Sequence, residues 1–226
     1  MKRYLLPGLL MSLAASLFLQ AQVPNEGFAN AIIAARQANA ALMQQYSWNC
    51  RTQLSENGAI KDTRIDSVTW GPNGQPQHTT LSDQGNPPPQ GFFFRRRIEE
   101  AERQQMETYL TSLRTFLHQY TLPSAGQIIN LISTSPILPV PGGMLQVSGS
   151  SVVVPGDTVS ATFSATTRLT QRMTMMTFFQ GDEVTVTVTF KSLANGLNYA
   201  AYTQVNVPNK NLTLLIQNYD FINQNL

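Results

Sequence analysis

Residues 184–190 read Val-Thr-Val-Thr-Val-Thr-Phe, and this stretch, with others like it between residues 156 and 221, decides the fold. Apolar side chains alternate with threonine, which is the period-2 pattern of a strand that has one buried face. Residues 159–166 alternate in the same way. Gln180-Gly181-Asp182 and Ala194-Asn195-Gly196 lie where hairpin turns are needed, because Gly and Asn tolerate the positive φ angles of tight turns. The pattern predicts a four- or five-stranded antiparallel meander.

The rest of the chain changes between helical and strand-like periodicity. In chain order it predicts a helix over 26–45, strands within 46–81, a Pro- and Gly-rich loop over 82–95, helices within 96–133 and antiparallel strands within 144–221, one of them over 151–154. Helices inserted between two sets of antiparallel strands are typical of α+β folds. We therefore expect residues 22–226 to form a single α+β domain, a curved antiparallel β-sheet with the helices packed on one face.

The first residues have the pattern of an export signal. Lys2-Arg3 is a positive segment, residues 5–19 are mostly apolar, and Leu19-Gln20-Ala21 is an acceptable cleavage motif. The alternative, a membrane-spanning anchor, needs about 20 apolar residues, more than this run supplies. The sequence therefore predicts a signal peptide over residues 1–21, cleaved before Gln22, and a periplasmic or secreted protein.

The predicted mature chain is electrically neutral. The whole chain has 15 Lys and Arg against 13 Asp and Glu, and removal of residues 1–21 takes away two basic residues and no acidic one. A neutral chain argues against nucleic acid as a partner, because phosphate binding depends on an excess of Lys and Arg. Cys50 is the only cysteine, so no intramolecular disulfide is expected, and its place among alternating apolar residues predicts a buried side chain.

No motif in the sequence identifies an enzyme. The chain has no His-Glu-x-x-His, Gly-x-Ser-x-Gly or Ser-x-x-Lys segment and no Gly-rich phosphate loop with Lys. Its two histidines, His78 and His118, lack metal-ligand spacing to each other or to Cys50. We expect no catalytic residue, no metal and no cofactor. A Ser–His–Asp triad assembles only in the folded chain, so a hydrolase stays open as an alternative.

Methionine and phenylalanine cluster within residues 173–179, and such flexible apolar side chains are typical of adaptable cavities. In a curved sheet with helices above it, they line either a cavity for an acyl chain or an ordinary filled core. The candidate lining residues are Trp48, Phe163, Met173, Met175 and Phe178.

A second candidate site is a run of three phenylalanines and three arginines: Phe92, Phe93, Phe94, Arg95, Arg96 and Arg97. Aromatic side chains that insert into a membrane surface and arginines that meet anionic groups would make this run a contact for a membrane or an envelope protein. The alternative interpretation is an apolar and charged first turn of the helix that follows.

Four short motifs resemble a family of uncharacterised exported bacterial proteins: Tyr46-Ser47-Trp48-x-x-Arg51-Thr52, Thr121-Leu122-Pro123, Pro155-Gly156-Asp157 and Thr167-Arg168-Leu169. That resemblance covers most of the mature chain and implies no known activity. More distantly, the order of helix, meander, helices and long meander resembles the periplasmic lipoprotein-carrier fold of the LolA, LolB and RseB type. It implies an open half-barrel with an apolar interior, and it supplies no catalytic residues.

These observations favour a non-enzymatic periplasmic module that binds a lipid, an acyl chain or a hydrophobic peptide on its concave face, with a lipid or a lipoprotein as partner. An alternative from another class is an envelope structural or interaction protein that uses residues 92–97. The third hypothesis is the hydrolase, which predicts turnover that depends on His78 or His118.

Overall fold

The computed structural model describes residues 25–84, 93–121 and 124–225, and the side chains in these ranges except those of 93–103 and 121. The predicted signal peptide at 1–21 lies outside the described residues. Within them the α-helices are α1 (Asn25–Met43), α2 (Phe93–Thr121) and α3 (Ala125–Thr134). The strands are β1 (Tyr46–Glu56), β2 (Ala59–Trp70), β3 (Pro76–Asp83), β4 (Ile137–Val140), β5 (Met144–Ser150), β6 (Thr158–Ser164), β7 (Thr170–Phe179), β8 (Asp182–Ser192), β9 (Asn198–Val207) and β10 (Leu212–Asn223).

All the strands of the described residues join one antiparallel sheet in the order β3-β2-β1-β10-β9-β8-β7-β6-β5-β4. Neighbours in the sheet are also neighbours in the sequence except where β1 pairs with β10. Strands β3 and β4 are the two edges, so the sheet is open and not closed into a barrel. The predicted α+β class and the curved, open antiparallel sheet are confirmed.

The alternation of valine and threonine in β8 places the two residue types on opposite faces of the sheet. Val184, Val186 and Val188 of β8 are buried on the inner face, which the helices cover, whereas Thr185 and Thr187 belong to the outer face. Burying one valine contributes roughly 1.5–3 kcal/mol. A register slip of one residue would move all three valines to the outer face, so the pairing of β8 is strongly specified.

Three apolar clusters lie on the inner face. The α2 core packs helix α2 on strands β6 to β10. The α1–α3 core packs those two helices on β5 and β6. The tryptophan core consists of Trp48, Cys50 and Val68, with Met43 at the end of α1 packed against it. Cys50 is therefore buried, as its position in the sequence predicts.

Helix α3 begins at a capping box and approaches the sheet at a glycine. The Ser124 hydroxyl accepts a hydrogen bond from the backbone N–H of Gln127, and the Gln127 side chain accepts one from the backbone N–H of Ser124. At Gly149 of β5 a Cβ atom would lie 2.5 Å from Leu131 Cδ1. The missing side chain thus lets α3 pack closely on the edge of the sheet.

The structure differs from the predicted elements in several places, and helix α2 begins at Phe93, inside the predicted loop over 82–95. Helix α1 ends at Met43, two residues before the predicted end. Strand β4 adds a short edge strand before residue 144. Residues 151–154 form a loop where three valines predict a strand, and the reason is a buried carboxylate described below.

Candidate functional site

The candidate site is the α2-covered face, the part of the inner sheet surface that lies beneath helix α2. Tyr109, Leu113 and Tyr120 of α2 are buried against it, and Phe116 and Leu117 pack beside them. The buried sheet residues under the helix are almost all aliphatic: Val159, Met175, Val184, Val186, Val188, Val205, Val207 and Leu212. One amphipathic helix thus covers an apolar layer that spans five strands.

At Tyr109 a hydrogen bond and a cation fix the helix to the sheet. The Tyr109 hydroxyl donates to Asp182 Oδ2 at 3.1 Å. Lys210 Nζ lies 3.5 Å from the same carboxylate oxygen and 4.7 Å from the centre of the Tyr109 ring. Burial raises the pKa of Tyr109 to about 12, and the hydrogen bond to Asp182 acts in the same direction. The phenol therefore stays neutral and keeps its donor proton.

Near the other end of α2, Tyr120 makes the second attachment. Its hydroxyl donates to Asp157 Oδ2 at 2.9 Å, and Thr177 Oγ1 lies 2.9 Å from the same phenol oxygen. Because the phenol proton goes to the carboxylate, the Thr177 hydroxyl acts as donor to Tyr120. Burial raises the pKa of Tyr120 to about 12. This polar contact is buried among apolar side chains and joins α2, β7 and the loop before β6.

Asp157 holds that loop in place. Its fully buried carboxylate accepts hydrogen bonds from the backbone N–H groups of Val152, Val153 and Val154, at 2.6, 2.9 and 2.9 Å. Burial alone would raise the pKa of Asp157, but these three hydrogen bonds and that from Tyr120 outweigh it and hold the pKa below its usual value. Residues 151–154 therefore bend around the carboxylate and do not pair as a strand.

The methionine and phenylalanine cluster of β7 is divided between the two faces of the sheet. Met175 is buried in the α2 core, and Met173 is partly buried against it. Phe178 and Met176 belong to the opposite face by strand alternation, and the Phe178 side chain is 53% exposed. Of the candidate lining residues in β7, only Met173 and Met175 lie under α2.

The other two candidates lie in separate clusters. Trp48 stacks on Phe221 with ring centroids 5.7 Å apart, and its Nε1 donates to Asn218 at 3.1 Å. Phe163 meets Phe28 edge to face in the α1–α3 core, with ring centroids 6.0 Å apart. Strands β1 and β6 are separated by four other strands in the sheet. The structure therefore does not bring Trp48, Phe163 and the methionines together around one space.

Beside the tryptophan core, the inner face of β2 and β3 carries a polar group. Asp66 is 5% exposed, accepts a hydrogen bond from Arg64 Nε at 2.7 Å and has an oxygen 3.6 Å from His78 Nδ1. Burial opposes ionisation of Asp66, but the hydrogen bonds from Arg64 and Thr80 prevail and lower its pKa. The neighbouring Cys50 thiol has a raised pKa, first because of burial, which keeps it protonated.

Several predicted features lie beyond this site. Phe92 is outside the described residues; Phe93, Phe94, Arg95, Arg96 and Arg97 belong to the first turns of α2, and their side chains are also outside the description. The part of the chain that is described has no group of three or more His, Cys, Asp or Glu placed to hold a metal ion. None of the helices in the described ranges has the length and apolar character needed to cross a membrane.

Sequence reasoning missed the polar contacts that position α2. From the sequence, Pro155-Gly156-Asp157 is only a short motif and Tyr120 only part of a predicted helix, with no indication that Asp157 and Tyr120 make contact. Tyr120, Asp157 and Thr177 come from three elements, so no local pattern links them. The available signal for this buried contact is local: Asp157 is an acidic residue that directly follows three valines, a proline and a glycine.

No protein-family model and no curated protein matches this chain. Among solved structures, the chain is similar to a DUF1329 family protein from Desulfovibrio piger, with 9% identity, a TM-score of 0.43, and coverage of 88% of this chain and 92% of that chain. It is also similar to a LolA superfamily protein from Nitrosomonas europaea, with 9% identity, a TM-score of 0.30, and coverage of 82% and 91%. The sequence predicts resemblance to an uncharacterised family and, more distantly, to the LolA-type fold, and these two similar structures belong to the DUF1329 family and to the LolA superfamily.

Proposed function

We propose that this protein is a non-enzymatic binding or carrier module that takes an acyl chain between α2 and the inner face of the sheet. The observation that carries the proposal is the α2-covered face itself. A single helix covers an apolar layer of five strands, and the sheet beneath it is open at both edges in the described residues. A lipid or a lipoprotein is the corresponding partner, in the periplasm or outside the cell.

The attachments of α2 are compatible with its displacement. The helix is fixed by apolar packing and by hydrogen bonds from Tyr109 and Tyr120, and a net intramolecular hydrogen bond is worth only about 0.5–1.5 kcal/mol, or up to about 3 kcal/mol to a charged group. Burial of an acyl chain contributes about 0.8 kcal/mol of favourable free energy for each CH₂ group. A chain of a dozen carbons therefore supplies enough free energy to replace the packing of part of the helix.

The side chains under α2 support an apolar ligand of adaptable shape. Met173 and Met175 have unbranched, polarizable side chains that adjust to different neighbours. Apart from the Asp157 carboxylate, which accepts four hydrogen bonds, and the Thr177 hydroxyl, the buried side chains of this layer are mainly apolar. Its chemistry therefore favours hydrocarbon over a polar substrate.

The protonation state of Cys50 supports a role without catalysis. The Cys50 thiol is kept protonated by its raised pKa, which makes it a poor nucleophile. A hydrolase would instead turn over ester or glycoside substrates and lose that activity when His78 or His118 is replaced.

The first test is native mass spectrometry of the protein purified from its own cell envelope, followed by organic extraction. A bound lipid or acylated species would support the proposal and identify the ligand. The second test is titration with a fluorescent fatty acid. We expect Met173→Gln to weaken probe binding at least about fivefold, because it places an amide in the apolar layer.

Met176→Gln is the matched control, because Met176 is in the same strand but on the outer face. It should leave probe binding unchanged. Equal effects of the two substitutions, or no binding of the probe by the unaltered protein, would contradict the proposal. If the protein binds no acyl probe, the contact through residues 92–97 becomes the next hypothesis, tested by replacing Arg95, Arg96 and Arg97 with Ser in a membrane pull-down.

A further inference from the structure

The outer face of the sheet, away from α2, carries a groove across four strands. Its volume is about 350 Å³, and it surrounds Arg51 of β1. The other lining residues are Thr63, Ile65, Ser82, Gln84, Gln217 and Tyr219. Pockets for small ligands generally range from about 300 to 1,000 Å³, so this groove has room for one or two sugar rings.

Strand register explains why these side chains meet. Gln217 of β10, Arg51 of β1, Ile65 of β2 and Ser82 of β3 lie directly opposite one another in a single row across the sheet. Paired residues in neighbouring strands point to the same face. Tyr219, two residues beyond Gln217, lies on the same face in the adjacent row. Most of the groove is thus built on paired strands of the sheet.

Arg51 is the only charged residue among the described residues that line this groove. Its guanidinium donates one hydrogen bond, from Nη2 to Gln53 Oε1 at 3.3 Å. No carboxylate of the described residues lies within 4 Å of it to form an ion pair. A guanidinium has five N–H donors in a planar fork that matches a carboxylate. Most of these donors are therefore available to an anionic ligand.

The neutral residues around Arg51 fit a ligand rich in hydroxyl groups. Gln84 and Gln217 offer amide donors and acceptors, and Thr63 and Ser82 offer hydroxyls. Tyr219 and Ile65 add apolar surface against which a ring can pack. A larger outer-face groove, of about 530 Å³, contains hydroxyl groups but no charged residue and no aromatic ring. Of these two grooves of the described residues, the Arg51 groove is the one that combines a charged group, hydroxyl groups and an aromatic ring.

From this combination we infer that the Arg51 groove binds an acidic saccharide, a sugar unit that carries a carboxylate. The guanidinium receives the carboxylate, the amides and hydroxyls receive the sugar hydroxyls, and Tyr219 packs on the ring. This site is separate from the α2-covered face, because the two lie on opposite sides of the sheet. The protein would then hold an acyl group on one face and an anionic glycan on the other.

The experiment is an NMR or calorimetric titration of the full protein with trigalacturonic acid. We expect binding that weakens as sodium chloride rises from 50 to 500 mM, because salt screens exposed charges. Arg51→Gln should weaken it at least about tenfold, since it removes a charge-assisted hydrogen-bonded pair. Neutral galactotriose should bind at least about tenfold more weakly than the acidic sugar.

Arg172→Gln is the matched control. Arg172 is an exposed arginine of the outer face that lies in the same row, four strands from Arg51, and its replacement should leave binding unchanged. Met173→Gln should also leave it unchanged, which separates this site from acyl binding. Equal loss in Arg51→Gln and Arg172→Gln, tighter Arg51-dependent binding of galactose 6-phosphate, or no binding of trigalacturonic acid would each overturn the inference.

Discussion

The Asp157 carboxylate has no exposed surface, yet it accepts hydrogen bonds from three consecutive backbone amides and from Tyr120. An ionised group in such a place is tolerated only when all of its hydrogen-bonding capacity is used. The same carboxylate thus shapes the loop at 151–156 and fixes the C-terminal part of α2. Its charge links a local turn to the packing of the largest helix.

Asp157→Asn should lower the free energy of unfolding by about 2–4 kcal/mol at pH 7, because an amide has one acceptor fewer and directs N–H groups at backbone donors. Urea unfolding at several pH values will measure it. The folded-state pKa of Asp157 is depressed, so its contribution is complete above the unfolded value of about 3.9 and is lost as pH falls toward the folded value. The difference between the two proteins should therefore shrink below about pH 4.

Asp220→Asn is the control for this measurement, because Asp220 makes an exposed hydrogen bond to Asn49. It should change the free energy of unfolding by less than about 0.5 kcal/mol. A constant difference between Asp157→Asn and the unaltered protein from pH 7 to pH 2 would show that the carboxylate is not charged in the folded state.

The sequence predicts which side chains of a strand share one face of the sheet, but it does not predict which core that face joins. Met173 and Met175 have the same parity in β7, and the structure places both toward the α2 core. Phe178 has the opposite parity, so alternation alone already separates it from them. Trp48 and Phe163 are apolar and buried, but no local pattern tells which of three cores each one joins.

At the scale of the element, helix α2 has two polar attachments of different strength. The Tyr120 hydroxyl forms hydrogen bonds with two buried groups, the Asp157 carboxylate and the Thr177 hydroxyl. Tyr109 is bonded to Asp182, which keeps Lys210 as a second partner at 3.5 Å. Removal of the two hydroxyls should therefore have unequal consequences.

We expect Tyr120→Phe to cost about 1.5–3 kcal/mol and Tyr109→Phe about 0.5–1 kcal/mol, because only the first leaves a buried carboxylate short of a donor. The two variants are matched in chemistry and lie on one helix, so thermal or urea unfolding of both gives the comparison directly. Equal costs would mean that Asp157 is satisfied by its backbone donors alone.

The sequence predicts helices and strands correctly where a periodic pattern of apolar residues continues and no buried polar group competes for the backbone hydrogen bonds. Alternation over residues 184–190 predicts a strand, and β8 spans Asp182–Ser192. The three valines at 152–154 favour a strand by propensity as well. They form a loop because Asp157 offers their backbone N–H groups a better partner than a neighbouring strand does. The competing partner is identifiable only in the folded chain.

At the scale of the whole molecule, the pairing of β1 with β10 joins the two meanders into one sheet. The local sequence of β1 does not identify β10 as its partner, because about 170 residues separate the paired positions. The sequence therefore predicts two meanders in one curved antiparallel sheet, while the pairing of β1 with β10 that joins them is seen only in the structure.

Hydrogen exchange should reveal this arrangement. Strand β10 is paired on both sides, whereas β3 is an edge strand with mostly exposed side chains. We expect amides of residues 214–216 to exchange at least about a hundredfold more slowly than those of 78–81, measured by mass spectrometry of peptic fragments. Equal rates in the two segments would mean that β10 does not occupy an interior position.

The place of β10 also has a consequence for how the chain folds. Strands β1 to β3 have no partner on the β1 side until residues 212–223 are available. Contacts between such distant segments must overcome a large loop-closure entropy, so they form late and slow the reaction. Until then the β1 edge presents unpaired backbone groups that another molecule could extend into an aggregate. Residues 212–223 therefore complete the sheet and also protect strands β1 to β3 from pairing with another molecule.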